Sequence, residues 1–186
     1  MLPKTNEYIK RVYEIACKHG FHDKKLSVEH CLMLVITEIA EAVEADRKNK
    51  QAKVDKFNEW AKYSEFFVEQ FEKNIKDTFA DELADIYIRL CDTAGVLGIE
   101  FEQEVIDADV SSVFASLSKK KRLTEKMFAI ITILTDDEDL EDLEKIGTGL
   151  FFVEWLARDY DIDLAWHVEQ KMKYNETRPK LHGKKY

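Results

Sequence analysis

The chain has 186 residues, with 28 lysines and arginines against 37 aspartates and glutamates, a formal charge of −9. That length suits one domain with a real core or two small helical units packed together, and the acidic balance argues against bulk nucleic acid as a partner. Only six glycines and two prolines occur, the prolines at Pro3 and Pro179, and so long a Pro-free interior argues against a turn-rich β-sandwich and predicts an all-α protein.

The apolar spacing predicts a first amphipathic helix over about 4–19, through Tyr8, Val12, Ile15 and Cys17, stopped at Gly20. Ser27, with Glu29 just inside, reads as the N-cap of a second helix over about 28–48, carrying Leu32, Val35, Ile36, Ile39 and Val43. Residues 49–77 are charged but include Phe57, Trp60, Tyr63, Phe66, Phe67 and Phe71, which predicts another helix with an aromatic stripe. That stripe reads as packing, against a second subunit for instance, with a base-recognition wall or lid of Phe57 and Trp60 as the alternative. A helix over about 77–97 follows, with Phe79, Leu83, Ile86, Leu90, Ala94 and Leu97 on its apolar positions. Weaker helices are predicted near 101–117, 122–134, 139–160 and 162–176, and the basic tail 178–186 is expected to be irregular.

A faint duplication runs through this series. Val35-Ile36-Thr37 can be laid on Ile130-Ile131-Thr132, and Gly98–Phe101 on Asp161–Leu164, giving a single domain with a possible degenerate second half at 101–186. In that register Glu38 falls opposite Ile133 and Glu82 opposite Lys145. Cys17, Cys31 and Cys91 lack C-x-x-C spacing and read as free thiols of a reducing, cytoplasmic setting. The first residues are too polar for a signal peptide, and no apolar run nears the ~18 residues of a membrane span, so no membrane partner is expected.

Two acid pairs carry the chemistry. Glu38 and Glu41 lie at i, i+3 in the second helix, and Glu82 and Asp85 do so in the helix at 77–97. Each pair shares one helix face, about 5–6 Å apart at Cβ. Their neighbours are mostly apolar or alanine, and carboxylates bordering a buried stripe are costly unless a positive charge neutralises them. If the two helices pack antiparallel the four acids converge, and a hard divalent cation, Mg²⁺ or Mn²⁺ in its place, resolves the repulsion. The alternative is a solvated edge whose acids pair with basic residues, for example Asp85 with Arg89 at i+4. A di-iron site is disfavoured because neither pair supplies a histidine at i+3.

Glu38-x-x-Glu41 followed by Glu82-x-x-Asp85 on successive helices resembles the MazG-like all-α nucleoside triphosphate pyrophosphohydrolases. The stretch 38–47 is similar to that superfamily's first metal-binding helix and 81–86 to its second; the run 171–185 is similar to its substrate-end signature. The likeness departs at Thr37, where a further acid often stands, and in the long separation of the two pairs, with 49–77 as an insertion. An aromatic often precedes the first metal helix in the segment filled here by Phe21-His22.

The resemblance implies a helical bundle with a four-helix catalytic unit and additional helices. It also implies a Mg²⁺-dependent hydrolase that cleaves a nucleoside triphosphate to monophosphate and pyrophosphate. Glu38, Glu41, Glu82 and Asp85 would be metal ligands, and Glu38 or Glu41 the base that positions the attacking water. Lys171, Arg178 and Lys184 would meet phosphate charge, Asn175 would hydrogen-bond sugar or phosphate, and Tyr174 would stack on a base or serve the core. His182 is expected as a tail contact rather than a catalyst. A homodimer or higher oligomer is implied, or an intramolecular pseudo-dimer if the duplication is real. A dimeric dUTPase-like enzyme and a non-catalytic helical nucleotide-binding or assembly protein are the competing readings.

Overall fold

The computed structural model describes residues 1–109, 112–114, 117, 122–136, 138–183 and 185, and among them it contains helices and turns but no strand. The α-helices are α1 (Thr5–Lys18), α2 (Val28–Arg47), α3 (Val54–Ala61), α4 (Phe67–Asn74), α5 (Phe79–Leu97), α6 (Gln103–Ile106), α7 (Leu123–Leu134), α8 (Asp142–Asp159) and α9 (Leu164–Glu176). Among the described residues no helix is long and apolar enough to cross a membrane.

Local chemistry sets the ends of the two acid-bearing helices. Ser27 caps α2 by accepting the His30 backbone N–H, and Thr78 caps α5 by accepting that of Asp81. Gly98, in the left-handed region at φ 67°, ends α5, a conformation that costs a residue with a Cβ.

α5 is the axis of the molecule. Most of its residues are buried, including Leu83, Ala84, Tyr87, Leu90 and Cys91 at 0% exposure, because α1, α2, α8 and α9 all pack on it. α2 lies on α5, α5 on α8, α8 on α7 and α7 on α2, so four helices close a ring around one apolar core. α1 and α9 cover a further flank of α5 and touch each other.

Three expectations change in detail. Residues 49–77 form a hairpin rather than one helix: α3, a 3₁₀ turn at Ser64–Phe66, then α4. A continuous helix would leave much of its aromatic stripe in water, whereas the hairpin buries Phe57 against Phe67 and Phe71, with ring centroids 5.7 and 6.3 Å away. With Ile75 and Tyr174 these rings make a second, smaller core, and Lys53 N–H donating to the Asn74 carbonyl at 2.9 Å closes its base. The predicted helix at 101–117 reduces to α6, residues 110, 111, 115 and 116 lying outside the described residues. The tail contains a 3₁₀ turn, Lys180–Gly183, in which Leu181 and His182 both adopt positive φ, 51° and 50°.

Candidate functional site

Packing α2 on α5 brings three of the four predicted acids together. One carboxylate oxygen each from Glu38, Glu82 and Asp85 lies within 4.8 Å of the others. Glu41 is exposed and stands at the wall of the same cavity, outside that group. The cavity holds about 330 Å³ and is bounded by α1, α2, α5, α9 and the C-terminal turn. Its lining combines charged side chains, Glu38, Glu82, Asp85, Arg89 and Lys171, with apolar and aromatic ones that include Val12, Ile15, Phe21 and Met172, and the Arg89 guanidinium lies 6.0 Å from the Phe21 ring centroid.

The acids are not left to repel one another. Arg89 donates from Nε to Glu38 Oε1 at 3.1 Å, crossing from α5 to α2. Lys171, from α9, reaches Asp85 at 2.5 Å and Asp81 at 2.8 Å. The i, i+4 pairing of Asp85 with Arg89 is therefore replaced by two pairings between helices. Asp81 is 1% exposed, and its Oδ2 also accepts the Asp77 backbone N–H at 3.0 Å. Asp77 sits at φ 58°, a turn that aims this N–H back at the first turn of α5. Asp81 and Glu82 also lie in that first turn, where the helix dipole favours negative charge.

Compensation is incomplete at Glu82. It is 4% exposed, and its Oε2 is buried with no hydrogen-bond partner. Burial first, and the neighbouring Asp85 charge second, push its carboxyl up to about 9. Burial also raises Asp81 to about 6 against the pull of Lys171. It raises Glu38 as well, with Asp85 adding to the rise and Arg89 opposing it. Burial alone would lower the Lys171 ammonium, but Asp85 and Asp81 more than offset it and hold it above the usual lysine range. An orphaned, buried carboxylate oxygen among two other converging acids is a donor set that suits a hard divalent cation.

The predicted substrate residues divide. Lys171 and Asn175, one turn apart on α9, line the cavity, and so does Arg178, which lies two residues past the end of that helix, so the expected single helical face does not extend to it; Asn175 Oδ1 is buried with no partner. Lys184 lies outside the described residues. Tyr174 does not line the cavity. It stacks on Phe71 with centroids 4.5 Å apart and donates its hydroxyl to Glu72 at 2.8 Å, which corrects the base-stacking alternative in favour of the core. Phe57 is likewise buried in the aromatic cluster, while Trp60, 48% exposed, borders a separate cleft with Lys53, Lys56 and Lys73. Tyr174→Phe is expected to lower stability by about 1 kcal/mol through the lost hydrogen bond to Glu72. Thermal melts of that variant check it.

Sequence reasoning missed Asp81 as the second carboxylate of Lys171, and Arg89 as the partner of Glu38. Asp81 did carry a signal, an acid adjoining Glu82 inside the apolar stretch 79–86. Phe21 and His182 also reach the cavity, packed edge to face at 5.0 Å, so the tail is part of the wall. Lys180 to Asp23 at 2.7 Å, and the Leu181 N–H to the His19 carbonyl at 2.9 Å, tie that tail to the loop after α1. No family model, curated protein or solved structure matches the chain.

Proposed function

We propose that the protein is a Mg²⁺-dependent nucleoside triphosphate pyrophosphohydrolase of the MazG-like kind. The observation that carries the reading is the convergence of Glu38, Glu82 and Asp85, where Glu82 also has a buried oxygen without a partner, in a cavity lined as well by Lys171, Arg178 and Phe21. Mg²⁺ bound there would offset phosphate charge and lower the pKa of a coordinated water. Glu38, Glu82 and Asp85 would hold it. Glu41, exposed beside them, accepts the proton of the water that attacks the α-phosphorus as pyrophosphate departs. Arg178 and Lys171 meet the charge of the phosphate chain, and Asn175 hydrogen-bonds the sugar or a phosphate oxygen. Phe21 and Met172 offer the base an apolar face.

The ring of α2, α5, α7 and α8 closes within one chain. That favours the intramolecular arrangement, with α7 and α8 as the half that lacks the acids, and an oligomer would then form outside this ring.

Incubation with a panel of standard and modified NTPs and dNTPs tests the reading, with Mg²⁺ and with EDTA. Pyrophosphate and the matching monophosphate in equal amounts, abolished by EDTA, are expected. Turnover confined to dUTP would move the assignment to a dUTPase-like enzyme. Tight nucleotide binding without turnover would overturn the catalytic reading in favour of a binding protein.

A further inference from the structure

Among the described residues, Arg89 and Lys171 pair with the acids at the cavity, and the two are held differently. Arg89 pairs with one acid, Glu38, at 3.1 Å. Lys171 is 5% exposed and bridges two acids of unlike standing: Asp85, which belongs to the converging group of three, and Asp81, which does not. Asp81 is one turn back along α5, and its oxygen is already fixed by the Asp77 N–H. Asp85 therefore has two claimants, the Lys171 ammonium and any cation that takes the three carboxylates, and the two cannot share its Oδ2 at close range without strong repulsion.

We propose that Lys171 is a resident counter-ion that yields Asp85 when a divalent cation is taken up, and that Asp81 is the carboxylate that keeps it in place. This rests on the metal reading given above. Asp81 is thus a positioning residue and not a ligand. It lets Lys171 leave Asp85 without becoming a bare buried charge, and the donors so released face the cavity. The Lys171 ammonium offsets part of the negative charge of Asp81 and Asp85, and in doing so it would compete with a cation for Asp85.

The decisive variant is Lys171→Met combined with Asp81→Asn. It removes one positive and one negative charge, so the net charge of the region is unchanged. It also neutralises Asp81, the fully buried carboxylate that Lys171→Met alone would leave unpaired, so that only the partly exposed Asp85 loses its cation. Mn²⁺ alone is titrated calorimetrically into the wild type and the double variant, with thermal melts to establish folding. Mn²⁺ binding at least about tenfold tighter in the double variant is expected, because the competitor is gone while the three carboxylates remain. Equal or weaker binding, with the wild type binding Mn²⁺, would overturn the counter-ion role and leave the metal site standing. Absence of Mn²⁺ binding in both folded proteins would overturn the metal reading, and the inference with it.

Discussion

Glu82→Gln is expected to reduce Mg²⁺-dependent pyrophosphate release on the order of a thousandfold while making the metal-free protein more stable at pH 8. The two effects have one origin. Glu82 is buried beside Asp85 with one oxygen unpartnered, an arrangement unfavourable to an ionised carboxylate and useful only when a cation is present. Glutamine keeps the shape and cannot ionise, so the fold gains what the site loses, as happens where function holds a strained group in place. Glu41→Gln provides the contrast. It is exposed and outside the converging group, so it should slow turnover while leaving Mn²⁺ affinity within about threefold of the wild type. Steady-state rates, Mn²⁺ titration and melts on both variants measure this, and full turnover by Glu82→Gln would remove it from the ligand set.

The metal-free protein should lose stability as pH rises from 5 to 9. Carboxyls of the unfolded chain ionise near ~4–4.5, whereas in the fold Asp81 ionises near 6 and Glu82 near 9. Between those limits the unfolded state has released protons that the folded state retains, so rising pH favours unfolding. Glu38, raised for the same reason of burial, acts in the same direction. Two buried bases oppose this trend: His167, lowered by burial to about 4, adds stability as pH rises to about 6.5, and the Met1 amine, also lowered by burial, does so toward pH 8, so the Glu82 loss dominates above about pH 6.5. Below pH 4.5 Asp77 and Glu169 add to the acid loss, because their carboxyls are lowered and their stabilisation fades on protonation. The loss from pH 5 to 9 is on the order of 3–6 kcal/mol. Saturating Mg²⁺ or Mn²⁺ binds the ionised acids and should flatten or invert the slope, with proton release on binding. Thermal melts in EDTA and in Mg²⁺ from pH 5 to 9 test it, with Glu82→Gln expected to remove most of the EDTA slope. A flat wild-type profile in EDTA would contradict the burial account.

The helices that carry the acids were legible in the sequence because their signals are local. Ser27 marks the start of α2, and the apolar spacing of 32–43 and 79–97 sets which faces of α2 and α5 meet; three of the four acids then converge without further information. What the chain does at 49–77 was not legible, because Phe57, Trp60, Phe67 and Phe71 fit one long stripe as well as two short ones. The choice between them is made by Tyr174 and Trp166, which arrive from α9 to complete the aromatic cluster. The counter-ions were hidden for a related reason. Arg89 is four residues from Asp85 and 51 from Glu38, yet it takes Glu38, because Lys171 has already claimed Asp85 from α9. Such choices depend on which distant helix packs where, and no local spacing encodes them. The cavity role of His182 was hidden by the left-handed backbone at Leu181 and His182, which turns the tail back over the loop after α1.

The separation of 90 positions between Asp81 and Lys171 has a consequence for biosynthesis. Synthesis proceeds at about 5–20 residues per second, so the acids of α5 leave the ribosome several seconds before the lysine that neutralises them. During that interval α5 has its apolar partners α1 and α2 already made, but no cation for Asp81. Its first turn must stay hydrated or protonated, and the axis of the fold cannot settle fully into its core. Docking of α9 then completes two things at once, the burial of the α5 acids and the assembly of the cavity wall, so a nascent chain acquires its final stability and its enclosed cavity in the same late step.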